Sequence, residues 1–130
     1  AEEKNVGILV RVPEASGILT GKVNAETKID EKDHRSVRKG EWIKASLEKV
    51  EQLKPIAERN GLTITELAMK FIMTKKGFAS VFPTMISEEE IINYAEMTNG
   101  EYISTSDMEE IDELYNTWPS YELKATPQAN

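Results

Sequence analysis

Three short stretches hold residues whose types and spacing could do chemistry. The first is Pro13 to Gly17, which follows the apolar run Val6–Val12 directly. Gly17 permits close backbone approach and Ser16 adds a hydroxyl donor, so a ligand could lie against this turn. The same two residues could equally do no more than turn the chain. The second stretch holds His34, the sole histidine, between Asp33 and Arg35. A histidine beside a carboxylate can shuttle protons, but a solvated loop has the same composition. No Ser or Cys nucleophile stands next to it, and Glu31, Asp33 and His34 lack the spacing of a metal site. The third stretch is Ser87–Glu90, where a helix start offers amides to an anion while Glu88, Glu89 and Glu90 repel a dianionic phosphate. Ser87 and Glu90 also stand in capping-box spacing, which accounts for Glu90 without a ligand.

Bulk properties narrow the classes. A chain of 130 residues allows one domain and a single core. A net charge of −7 argues against nucleic acid or an anionic membrane as partner. With no cysteine there is neither a disulfide framework nor a thiolate metal site, and a reducing, cytoplasmic setting is expected. No apolar run approaches the roughly 20 residues that span a bilayer. The acidic N-terminus, Ala-Glu-Glu-Lys, is not a secretory signal. It runs almost at once into a buried-type strand, and truncation is expected.

The elements that must position these residues follow from periodicity. A continuous apolar run, without alternation, is the pattern of a strand buried on both faces of a parallel sheet. Val6–Val12 has that pattern, and one other credible strand occurs, Ala79–Phe82. Ligands of parallel sheets bind at the carboxyl ends of the strands, where Pro13–Gly17 lie. Residues 18–40 show no sustained period and include the charged segment Asp30–Arg38. From Glu41, Ile43, Leu47, Val50, Leu53 and Ala57 mark a helix ending near Gly61, with Pro55 expected to kink or divide it. A second helix opens at the Thr63/Glu66 capping box and buries Ile64, Leu67, Ala68, Phe71 and Ile72, while Met69 and Met73 fill core gaps. Capping boxes at Ser87/Glu90 and Ser106/Glu109 begin two more helices, the last ended by Pro119. Trp42 is expected to pack the helix start against the core.

Two strands with four helices make an unfinished sheet. Each strand leaves an edge unpaired, and one face lacks helices to cover it. Leaving ~400 Å² of apolar surface bare forgoes on the order of 10 kcal/mol, comparable with the stability of a whole domain. The chain is therefore expected to self-associate or to need the remainder of its fold.

The ordered segments PEASGILTGK, DHR, EWIKASLEKVEQLKPIAERNGLTITELAMKFIM and GFASVFPTMISEEEI resemble the C-terminal part of the aldo-keto reductases, over roughly Val6 to Tyr115. The resemblance implies an α/β fold, the C-terminal portion of a (β/α)8 TIM barrel. Its two parallel strands would be the seventh and eighth, with about four helices. Residues 1–123 would form this part and residues 124–130 a disordered tail.

The implied activity is reduction of an aldehyde or ketone by hydride from NADP or NAD. The family's catalytic Tyr, Lys, Asp and His come from earlier strands, and none maps onto this chain. What maps is a share of the dinucleotide site. Pro13, Ser16 and Gly17 match the loop against the pyrophosphate, and Thr84 and Met85 occupy the loop beside the adenosine end. Glu90 and Tyr94 stand where family members usually carry Arg or Gln and then Asn. This departure leaves NAD preference or loss of cofactor binding as alternatives. The reading favoured is a C-terminal fragment of a reductase, inactive by itself. The alternatives are a free-standing half-barrel that binds a nucleotide or a partner chain, and an interaction module without chemistry.

Overall fold

The structure, a computed structural model, describes residues 1–37 and 40–118. The first apolar run becomes β1 (Ile8–Arg11) and the second β2 (Phe78–Phe82). They pair in parallel, Leu9 against Ser80, Val10 against Val81 and Arg11 against Phe82, with an irregularity between Ile8 and Leu9. Between them lie α1 (Gly40–Arg59) and α2 (Ile64–Thr74), and after them α3 (Glu88–Met97) and α4 (Thr105–Thr117). Two parallel strands and four α-helices are thus present among the described residues, as expected. The stretch 18–37, expected to lack regular structure, contains two single 3-10 turns, Ile18–Thr20 and His34–Val37. Arg38, Pro119 and the tail 124–130 lie outside the described residues.

Local signals explain most of the helix boundaries and three departures. Thr63 and Glu66 form both halves of their capping box. At α3 only half forms. Ser87 Oγ accepts from the Glu90 amide at 3.2 Å, but the Glu90 carboxylate takes the Ile86 amide, at 2.8 Å. The third box is displaced: α4 is capped by Ser104, whose Oγ accepts from the Asp107 amide at 3.1 Å, and not by Ser106. Both sites satisfy Ser-x-x-acid spacing, and Asp107 wins because its carboxylate finds partners on α1. Pro55 does not divide α1. Its position is exposed, so water can take the carbonyl left without a donor one turn earlier.

The buried core lies among the helices rather than on the sheet. Ile56, Ala57, Leu67, Ile103 and Ile111 form one cluster joining α1, α2 and α4. Ile18, Ile43 and Val50 form a second, with Trp42 and Leu47 packed against it; half-buried Ile64 touches both. By contrast, the strands stand bare: Leu9 is 60% and Phe82 56% exposed, and Val6 and Val12 are also exposed. A strand pattern written for burial on both faces therefore meets solvent here, as the strand count implied. Tyr115 is exposed; it meets Trp118 edge-on, and the Trp118 indole donates to Gln52 at 3.1 Å.

Polar ties close the helical layer. Lys70 is buried, and its Nζ donates to the carbonyls of Asn99 at 2.7 Å and Glu101 at 2.9 Å, fixing the link between α3 and α4. Buried Asp107 accepts from Asn60 Nδ2 at 2.9 Å and from Arg59 Nε at 2.8 Å, while Arg59 also meets Glu110. These bonds, Asn60's foremost and Arg59's next, hold the Asp107 carboxyl below the usual carboxylate value. The folded state therefore binds its proton less readily than the unfolded state. The resulting stability is present above the ordinary value near pH 4 and is lost as pH falls through the folded value. Asp107→Asn is expected to cost about 1–2 kcal/mol at neutral pH, a range kept low because Arg59 is half exposed. Urea midpoints at pH 7 and pH 3 check this: a difference from wild type that does not shrink at the lower pH contradicts it.

Candidate functional site

The carboxyl end of β1 leads into a backbone of unusual conformation. Val12, Ala15, Ser16 and Gly17 have φ of 55°, 50°, 60° and 90°. Left-handed geometry is uncommon outside glycine and is an outlier for a β-branched residue, so Val12 carries strain that its surroundings must offset. The loop supplies part of that support itself. The Glu14 carbonyl accepts from the Gly17 amide at 3.0 Å and the Leu19 amide at 3.1 Å, and Thr20 Oγ1 donates to the Gly17 carbonyl at 2.7 Å. Buried Pro13 and Ile18 anchor both ends.

Support also comes from the segment around Asp33. Arg35 forks onto the Asp33 carboxylate, Nε to Oδ1 at 3.0 Å and Nη2 to Oδ2 at 2.7 Å. Its remaining Nη1 donates to the Ser16 carbonyl at 3.3 Å. The Asp33 hydrogen bonds raise the Arg35 pKa, so a permanent cation sits on this turn. At Gly17 a Cβ would come within 3.3 Å of Arg35 Nη1. The Ser16 amide and hydroxyl have no hydrogen-bond partner among the described residues. A free N–H and O–H beside a guanidinium are donors suited to an anion.

The second loop runs from β2 into α3. Pro83 is half buried, Thr84 is exposed and Met85 is 45% exposed. Met85 lines an apolar cavity of about 270 Å³ with Met69, Met73, Val81, Ile91 and Tyr94. The first turn of α3 carries Glu88, Glu89 and Glu90. Two contacts join this element to the first loop. The Tyr94 hydroxyl donates to Glu14, and Lys22 pairs with Glu90 at 3.7 Å.

The residues expected from sequence thus fall into two groups. Pro13, Ser16 and Gly17 share one left-handed turn. Thr84 and Met85 lie on the other loop, and the hydrogen bond and ion pair between the loops use Glu14, Lys22, Glu90 and Tyr94 instead. Arg35 escaped notice because its partner, the Ser16 carbonyl, is 19 positions away. The only sequence signal was its place directly after His34, whose side chain lies outside those described. Among the described residues no group of three or more His, Cys, Asp or Glu is placed to hold a metal ion. No described helix is long and apolar enough to cross a membrane.

Known proteins are similar to this chain in sequence and in fold. The model of the aldo/keto reductase family matches residues 1–116. The chain is 29% identical over 91 residues to a probable voltage-gated potassium channel subunit beta of Arabidopsis thaliana, covering 66% of this chain and 28% of that protein. It is 27% identical over 92 residues to a protein of the same description from Oryza sativa subsp. japonica, covering 67% of this chain and 28% of that one. The chain therefore spans under a third of the length of these relatives. The glycerol dehydrogenase AKR11B4 of Gluconobacter oxydans superposes with a TM-score of 0.81 at 17% identity. That superposition covers 99% of this chain and 40% of that one, so two strands and their helices correspond to part of a larger fold. With a family match spanning nearly the whole described chain, and a strand–loop–helix order that a solved relative repeats, this chain belongs to the aldo/keto reductase family.

Proposed function

We propose that this chain supplies the C-terminal share of the dinucleotide site of an NAD(P)H-dependent oxidoreductase that reduces a small aldehyde or ketone. The observation that carries the reading is the Pro13–Gly17 turn, where the free Ser16 amide and hydroxyl lie beside the Arg35 guanidinium. A pyrophosphate is an anion with acceptor oxygens only, and these donors suit it. Family membership and the likeness to a dehydrogenase support the same reading. When bound, the nicotinamide supplies the hydride that reduces the carbonyl carbon. This chain's residues would hold and orient the phosphates. The proton donor and its supporting lysine and histidine would come from N-terminal strands, which would also cover the bare sheet faces. A cytoplasmic setting goes with this reading.

At the adenosine end, Thr84 and Met85 would flank the ligand. The residues there fit a dinucleotide without a 2′-phosphate. Glu88, Glu89 and Glu90 set three carboxylates on one helical turn, and Lys22, mostly exposed, is the cation paired with them among the described residues. Repulsion of a dianion at short range exceeds what one screened lysine restores. Protein-fluorescence titration of the full-length protein is expected to give NADH at least tenfold tighter than NADPH. Equal affinities refute the preference, and no binding of either refutes the proposed function.

A further inference from the structure

We infer that Tyr94 is a positioning residue for the dinucleotide: through its hydrogen bond to Glu14 it holds the Pro13–Gly17 turn in its binding conformation. The inference rests on the function proposed above. Four residues of six between Val12 and Gly17 have positive φ, three of them not glycine. Such a backbone persists only where the surrounding structure over-determines it, and the turn's own hydrogen bonds supply only part of that. Arg35 supplies one contact from outside, to the Ser16 carbonyl. Tyr94 makes a second, to Glu14, from α3, 80 positions away in sequence.

The tyrosine is built for this task in two parts. It lines the cavity with Met69, Met73 and Val81, and its hydroxyl reaches out of α3 to Glu14. A phenol is a donor at neutral pH, and burial, then the bond to Glu14, raise its pKa further. One oxygen of the Glu14 carboxylate accepts from Tyr94, and the Glu14 carbonyl accepts from Gly17 and Leu19. Ser16, two residues on, is left with its donors free. Lys22 and Glu90 add a weaker, solvent-screened tie between the same elements.

The test uses the full-length protein and the variants Tyr94→Phe, Glu14→Ala and their double. Tyr94→Phe keeps the ring in its cavity and removes only the donor. Two readouts are taken: NADH affinity by fluorescence quenching, and amide hydrogen exchange across residues 12–22 without nucleotide. Each single variant is expected to weaken NADH three- to tenfold, and the double no further than either single, since one bond is lost in all three. Exchange across 12–22 is expected to accelerate in each, while the melting temperature of Tyr94→Phe stays within a few degrees of wild type. Unchanged affinity, additive losses, or unchanged exchange would each overturn the inference. Tighter binding would overturn it too, showing that the hydrogen bond obstructs the cleft. A wild-type protein that binds no NADH sinks the proposed function instead, and the exchange measurement still decides whether Tyr94 restrains the turn.

Discussion

Gly17→Val in the full-length protein is expected to weaken dinucleotide binding about ten- to thirtyfold. Gly17 has φ of 90°, where a β-branched residue is strained whatever space surrounds it. Its new Cβ would also press on Arg35 Nη1 at 3.3 Å, the end of a flexible side chain that must move off the Ser16 carbonyl. Strain of this kind costs on the order of 1–3 kcal/mol. A loop that relaxes by leaving its left-handed path removes the Ser16 donors from the ligand, and a tenfold loss corresponds to about 1.4 kcal/mol. Ile18, next to Gly17, belongs to the second buried cluster, so a fall of a few degrees in melting temperature is expected alongside. Titration with NADH checks the affinity and calorimetry the melting temperature. An affinity within twofold of wild type would remove this turn from the site.

The largest stability effect is expected at Ile56→Ala. Ile56 is 0% exposed and sits in the cluster where α1 meets α2 and α4. Truncation removes three carbons from a site walled by Leu67, Ile103 and Ile111, elements too firmly connected to collapse into the space. Buried isoleucine-to-alanine changes cost about 2–5 kcal/mol, and a value near 3 is expected here. Urea denaturation of the full-length protein provides the measurement. A loss below about 1 kcal/mol would show that this cluster does not carry the helical layer.

These two predictions separate two sources of order that the amino-acid sequence reveals unequally. The helices are legible because each has a local signature. Thr63 and Glu66 start α2 by bonds within one turn, and the stripe from Ile43 to Ala57 marks the buried face of α1. The strands were legible from their apolar runs, and their exposure followed from counting them. The end of β1 was less so: the run extends to Val12, but Val12 turns left-handed and the strand stops at Arg11. Capping at α4 also misled, because Ser104 and Ser106 offer the same spacing and only the approach of Arg59 and Asn60 to Asp107 favours the earlier one.

At the candidate site, residue types alone marked Ser16 and Gly17 as a turn that a ligand could lie against, and only the family resemblance made them candidates for the dinucleotide. Family resemblance added Pro13, Thr84 and Met85. Neither disclosed Arg35 on the Ser16 carbonyl nor Tyr94 on Glu14, and neither showed Asp107 choosing between two serine caps. Secondary structure, core stripes and the shortage of strands were determined by the chain itself, because they depend on interactions among residues a few positions apart or on simple counts. The setting of the turn was decided by tertiary structure, because its supports come from 19 and 80 positions away and no periodicity encodes a partner at such separations.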